Sequence, residues 1–128
     1  MNGRRLNIGI RSAAERSKAI RHALHAARAG GVPQEAELYF ENVNELREIL
    51  TEKRLEILIT ITQHQPESIS ALAVLLGRDY KNVSMDIKLL ETLGLVKLED
   101  SGTGRARMPL VPYDEIRLTI DLRQAAAA

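Results

Sequence analysis

The chain has 128 residues, of which 45% are hydrophobic and 27% are charged, and its net charge is +1. This length suits one ordinary domain, and the apolar fraction is typical of a folded chain. The absence of cysteine excludes disulfides, thiolate metal sites and cysteine nucleophiles. No apolar run reaches the roughly 18 residues of a membrane span and no signal peptide is recognisable. We therefore expect a cytoplasmic protein without a membrane partner.

The charges are unevenly distributed along the chain. Residues 1–30 contain seven Arg or Lys and one Glu, whereas residues 31–52 contain six Glu and one Arg. The split predicts surfaces of opposite sign. A split of this kind is typical of a surface that binds nucleic acid, of an acidic surface that makes contacts, or of two segments whose charges neutralise one another in the fold.

Residues 1–43 are predicted to form an accessory β-α-β segment. Alternating apolar residues predict a strand over residues 6–10. Ser12, with Glu15 three residues later, is a capping pair that predicts a helix, and a glycine pair ends it. Residues 37–40 form a second short strand in this interpretation.

Residues 44–92 follow a helical pattern with three breaks. After a short helical turn, Thr51 and Ser68 can each cap a further helix, and Gly77 ends the second of these. A longer helix is predicted from Tyr80 to Thr92. Each helix is expected to turn one apolar face inward. In the helix after Thr51 this face consists of Leu55, Leu58, Ile59 and Thr62. In the helix after Ser68 it consists of Ile69, Leu72, Ala73 and Leu76, and in the longer helix of Val83, Ile87, Leu90 and Leu93.

A hairpin and a final strand complete the predicted fold. Residues 95–111 read as two strands around a glycine-rich tip, and Pro109 limits the returning strand because it has no amide donor. Residues 116–123 alternate strictly between apolar and polar side chains and predict a strand over residues 113–123, and residues 124–128 form a tail. We expect an α+β fold in which this strand joins those of the accessory segment in one small sheet.

The order of elements in residues 44–112 points to a function. A helix, a short helix, a tight turn, a longer helix and a hairpin form the order of a winged helix-turn-helix. In that architecture the last helix enters the major groove of double-stranded DNA. Its outward side chains can hydrogen-bond bases or phosphates, or contact a thymine methyl group. These candidate recognition residues are Tyr80, Lys81, Asn82, Ser84, Met85 and Lys88.

Other candidate contacts lie on the hairpin, or wing, and before the longer helix. Arg105 and Arg107 are two residues apart, so on an extended arm both project to the same side and can follow the phosphate backbone. Two acidic residues, Asp79 and Asp86, are expected to orient neighbouring basic side chains. The further candidates for backbone contact are Ser68, Ser70 and Arg78.

Three segments of the chain resemble the MarR-like winged helix-turn-helix family of predicted transcriptional regulators. They are residues 51–58 (TEKRLEIL), residues 68–83 (SISALAVLLGRDYKNV) and residues 89–96 (LLETLGLV). The run GRDYKNV is the most specific part, and the resemblance covers about residues 38–122. It implies a small DNA-binding regulator that recognises an operator, and some members resemble antitoxins encoded beside a toxin.

The chain departs from the larger MarR dimers because it has no long C-terminal dimerisation helix. We expect the small sheet to pair two protomers instead. A symmetric dimer suits a palindromic operator, since one short recognition helix reads few base pairs. The protein is therefore expected to be a homodimeric regulator, most simply a repressor.

Other classes of function have less support from the residues. One alternative is an antitoxin-type module whose main role is to bind a protein partner, through the acidic segment 35–52 or the basic first helix. Another is binding of RNA or a membrane surface by that helix, whose alanine-rich face is a poor membrane anchor. His22 and His25 lack further metal ligands, and no nucleotide-binding or hydrolase motif is present. We expect no enzyme, no catalytic residues, no metal and no cofactor.

Overall fold

The computed structural model describes residues 3–10, 35–100 and 106–123. These residues form an α+β structure of four helices and two small sheets. They fall into two compact units, one formed by the residues up to Leu50 and from Tyr113 onward, the other by Thr51–Pro112. No helix in the described ranges has the length and apolar character needed to cross a membrane.

The first unit contains a three-stranded parallel sheet. Its strands are β1 (Arg5–Ile10), β2 (Glu35–Phe40) and β5 (Glu115–Thr119), in the order β2-β1-β5. The three segments expected to assemble thus lie in one sheet. The strand predicted over residues 113–123 is too long, because β5 ends at Thr119 and Leu122 and Arg123 form a turn. The predicted helix after Ser12, with His22 and His25, lies outside the described residues.

Alternation of side chains separates the two faces of this sheet. Leu6, Ile8 and Ile10 of the central strand are buried together with Phe40, as the pattern of apolar residues predicts. Helix α1 (Val43–Ile49) contacts β2 and buries Leu46. The sequence interpretation grouped residues 44–50 with the helices that follow, whereas in the structure they belong with the sheet.

The opposite face of the sheet carries an ion-pair network. Arg5, on the central strand, donates from Nη1 to Glu35 Oε1 (2.6 Å) and from Nε to Glu115 Oε1 (2.7 Å). The register explains both contacts, since Arg5 lies directly between these two residues. The hydrogen bond from Arg5 lowers the pKa of Glu115, and Arg117 contributes to the same shift.

The second unit begins with three helices whose ends are fixed by local capping. They are α2 (Glu52–His64), α3 (Ile69–Leu76) and α4 (Tyr80–Thr92). Thr51 Oγ1 accepts from the Arg54 amide (3.2 Å), and Ser68 Oγ accepts from the Ala71 amide (3.0 Å). Both caps are those expected from the sequence, because a hydroxyl at this position satisfies a free amide of the first turn.

The core of the second unit comes from one face of each helix. Buried side chains are Ile57, Leu58 and Ile61 of α2, Leu72 and Ala73 of α3, Val83, Ile87 and Leu90 of α4, and Leu95 and Val96 after it. The inward faces predicted for α3 and α4 are therefore confirmed at their centres.

The predicted inward face of α2 is correct at Leu58, which is buried, and wrong at the other three positions. Ile59 is 53% exposed, and Leu55 and Thr62 are exposed as well. Apolar residues occupy more than one face of this helix, so two different stripes have helical spacing. Packing against the rest of the unit selects the stripe that contains Ile57 and Ile61.

The second sheet is an antiparallel hairpin. It consists of β3 (Lys97–Asp100) and β4 (Arg107–Leu110), with Leu98 opposite Pro109. The buried Pro109 has no backbone N–H to donate to the partner strand. This agrees with the short returning strand that was predicted. Strand β4 also contacts α2 and α3, so the hairpin is attached to the helices.

Candidate nucleic-acid interface

A three-residue turn sets the direction of α4 after α3. Gly77 ends α3 in the left-handed region (φ 63°, ψ 33°), and its amide donates to the carbonyl of Val74 (3.1 Å). Asp79 caps α4, since its Oδ2 accepts from the Lys81 amide (3.1 Å). The Asp79 carboxylate thus orients the backbone of α4 through its cap.

The exposed face of α4 brings most of the candidate recognition residues together. Positions 81, 84, 85 and 88 follow the spacing i, i+3, i+4, i+7 and share one side of the helix. Tyr80 and Asn82 lie on either flank of this side. Tyr80 is 52% exposed and Met85 61% exposed. Lys81, Asn82 and Lys88 are also exposed, whereas Ser84 is half-buried.

The opposite face of α4 is anchored in the core. Val83, Ile87 and Leu90 are completely buried. This burial fixes the rotation of the helix about its axis. The exposed side chains of α4 are therefore presented to solvent by a rigid element, as a recognition surface requires.

One carboxylate connects α4 to two other parts of the second unit. Asp86 Oδ1 accepts from Arg54 Nε on α2 (3.2 Å), and its Oδ2 accepts from Arg78 Nη2 in the turn (2.9 Å). The Asp86 side chain is only 16% exposed. Asp86 therefore orients Arg78, one of the basic side chains that Asp79 and Asp86 were expected to orient between them. The contact with Arg54 was not anticipated, because the two residues are 32 positions apart and no local pattern relates them.

Arg78 has a structural role within the second unit, in addition to its predicted contact with the DNA backbone. Its guanidinium faces Asp86, and its buried Nη1 has no hydrogen-bond partner among the described residues. A buried donor without a partner is costly, so the ion pair with Asp86 is the main compensation for placing Arg78 here.

The remaining candidate residues are dispersed. The hydroxyl of Ser68 is engaged in capping α3, while Ser70 is exposed on the first turn of that helix. Arg107 is exposed on β4, and its Nη2 donates to the carbonyl of Leu98 across the hairpin (3.1 Å). Arg105 lies outside the described residues. Within the described ranges no cluster of three His, Asp or Glu side chains is placed to hold a metal ion.

The comparisons with known proteins identify a family. The sequence model of the HVO_A0114 family matches residues 49–118, which is more than half of the chain. The protein belongs to the HVO_A0114 family. The match spans α2, α3, α4, the hairpin and most of β5, and it leaves out β1 and β2. No curated protein matches the chain.

Proposed function

We propose that this protein is a sequence-specific regulator of transcription that binds double-stranded DNA as a homodimer, with α4 in the major groove. The observation that carries the proposal is the exposed face of α4. It combines two lysines, an asparagine and a methionine on a helix whose other side is completely buried. A function as a repressor follows most simply, because a dimer seated on an operator blocks access to it.

The arrangement of the second unit supports the same function. Helices α2, α3 and α4 followed by the β3–β4 hairpin have the element order of a winged helix-turn-helix. In that arrangement the hairpin is the wing and Arg107 contributes positive charge beside the phosphates. The resemblance of residues 51–58, 68–83 and 89–96 to MarR-like regulators agrees with this assignment.

The side chains of α4 have the chemistry needed to read bases. Asn82 can form a bidentate pair with adenine, Lys81 and Lys88 can donate to guanine or to phosphate, and Met85 can contact a thymine methyl group. A single helix reads only a few base pairs. Two copies related by a twofold axis extend the site to a palindrome.

Selection of bound fragments from a random duplex library, at near-physiological salt, tests the proposed function. The proposal predicts recovery of a twofold symmetric motif, with affinity that falls steeply as salt is raised. Recovery of no motif above the level of random DNA would contradict it.

A protein partner is a second candidate function, favoured by exposed apolar side chains on α3. Val74 is 81% exposed and Leu75 is exposed beside it. Paired apolar side chains on one surface suit contact with a protein better than contact with phosphate. Val74→Asp separates the two functions. It should abolish association with a toxin-like product of a neighbouring gene, where one is encoded, and leave the affinity for the selected duplex unchanged.

A further inference from the structure

The two outer strands of the parallel sheet differ in their charge patterns. Both β2 and β5 have one edge without a partner strand among the described residues. Edge strands of this kind pair with other chains unless something prevents it. Strand β2 and the residue after it carry Glu35, Glu37 and Glu41 and no basic residue. Pairing of β2 with a copy of itself would place these like charges close together, so this edge is protected.

Strand β5 and the four residues that follow it carry a self-complementary pattern. From position 115 to 123 the odd-numbered residues are acidic, basic, neutral, acidic and basic: Glu115, Arg117, Thr119, Asp121 and Arg123. Strand β5 itself ends at Thr119 in the single chain. In an antiparallel pair of identical strands centred on Thr119, each acidic residue lies opposite a basic one. Arg117 then faces Asp121 of the other copy, and Glu115 faces Arg123. Opposite charges directly across a strand pair are favourable.

The even-numbered residues of the same segment are apolar throughout. In the register centred on Thr119, Leu118 lies opposite Ile120 of the other copy, and Ile116 lies opposite Leu122. Leu118 is 52% exposed and Leu122 is 90% exposed in the single chain. Pairing two copies removes this apolar surface from water, and the buried area favours association.

From these patterns we infer that two copies of the chain associate through residues 115–123, in which β5 lengthens to give antiparallel pairing centred on Thr119 and one continuous six-stranded sheet. This interface deepens the homodimer proposed above. It assigns the dimer contact to the first unit, with the partner strand continuing the order β2-β1-β5.

The ion pairs present in the single chain do not oppose this pairing. Arg117 Nε donates to Glu115 Oε1 (2.9 Å), and Arg123 Nε donates to Asp121 Oδ1 (3.1 Å). Both pairs join residues two positions apart on an exposed surface, where an ion pair contributes little. Leu122 and Arg123 form a turn in the single chain, in which the Arg123 amide donates to Asp121 Oδ1 (3.0 Å). The inferred pairing requires residues 120–123 to leave this turn and extend β5, and the arginines then exchange their partners for carboxylates of the other copy.

Cysteine cross-linking of the full chain tests the register. The natural chain has no cysteine, so Thr119→Cys introduces a single thiol. In the inferred register the two copies of residue 119 face each other across the twofold axis, within the roughly 7 Å that a disulfide can span between Cα atoms. Arg117→Cys is the matched control, because its two copies would be about 13 Å apart along the strands.

We expect mild oxidation to convert the Thr119→Cys variant to a covalent dimer and to leave the Arg117→Cys variant mostly uncrosslinked. Faster cross-linking at 117 than at 119 would overturn the register. Equal and slow cross-linking at both positions would overturn the interface.

Charge reversal provides a second test that does not use cysteine. Arg117→Asp places two carboxylates opposite each other at two symmetry-related positions, and we expect the dimer Kd to rise about tenfold or more. The double variant Arg117→Asp with Asp121→Arg restores opposite charges and should recover the dimer. Sedimentation velocity over a range of concentrations measures both. A natural chain that stays monomeric, or a double variant no better than the single one, would overturn the inference.

These experiments contain no DNA, so their outcome is distinct from that of the duplex selection. A dimer that forms through β5 but selects no DNA motif would contradict the proposed regulator and leave the interface standing. A selected motif together with failure to cross-link at 119 would contradict the interface alone.

Discussion

Asp86 makes the polar contacts that hold α4 in the second unit. Its two carboxylate oxygens accept from Arg54 on α2 and from Arg78 in the turn before α4. All three side chains are largely shielded from solvent. Asp86 is therefore a structural residue beneath the proposed recognition surface, and its contacts complement the apolar core on the same helix.

Replacement of Asp86 by Asn should destabilise the protein by about 2 kcal/mol, because two partly buried guanidinium groups lose a charged acceptor. Urea denaturation followed by circular dichroism measures the change. Glu91→Gln, an exposed neutralisation on the same helix, is the matched control and should change stability by less than about 0.5 kcal/mol. Equal stabilities of the two variants would contradict the role given to Asp86.

Glu115 provides a prediction that depends on pH. Its pKa is lowered below the ordinary value of 4.5 mainly by the hydrogen bond from Arg5. A carboxyl group with a lowered pKa in the folded state stabilises it fully above the ordinary pKa, and this stabilisation is lost as the pH falls through the lowered value. Titration of the Glu115 carboxyl carbon by NMR should show its midpoint moving upward in the Arg5→Gln variant. An unchanged midpoint would show that the ion pair does not form in solution.

The helices of the second unit show which features local sequence can predict. Thr51, Ser68 and Gly77 fix helix ends through contacts within three or four residues, so their roles follow from the residue types alone. The buried face of α2 does not follow in this way, since apolar residues on several faces leave the choice to tertiary packing. The contact between Arg54 and Asp86 could not be predicted from local sequence either, because it exists only after α2 and α4 are packed together.

The turn between α3 and α4 can be tested by substitution of Gly77. A Cβ atom at this position would meet nothing within 4 Å, so only the backbone conformation opposes a side chain. Gly77→Ala should lower stability by about 1 kcal/mol, because its φ of 63° is unfavourable for alanine. Gly77→Asn should lower it less, since asparagine tolerates this region. Thermal unfolding of both variants makes the comparison, and an alanine variant as stable as the natural chain would contradict it.

At the scale of the whole molecule, the two units have separate proposed roles. The second unit carries the exposed face of α4, whereas the first carries the free edge of β5. Strands β1 and β5 were predictable because their alternation of apolar and polar residues is regular. The parallel order β2-β1-β5 required the structure, since β5 reaches the sheet only after the whole second unit. The charge pattern that begins in β5 indicates pairing with a second copy only once that strand is known to lie at an edge of the sheet.

Helix α4 is proposed to read base sequence, and comparison of the natural chain with Asn82→Ala tests this role. Fluorescence anisotropy at near-physiological salt would measure the Kd of each protein for the selected duplex and for a scrambled duplex of equal length. We expect Asn82→Ala to weaken binding to the selected duplex by about 5- to 100-fold and to leave binding to the scrambled duplex nearly unchanged. Equal loss of affinity for both duplexes, or no loss for either, would contradict it.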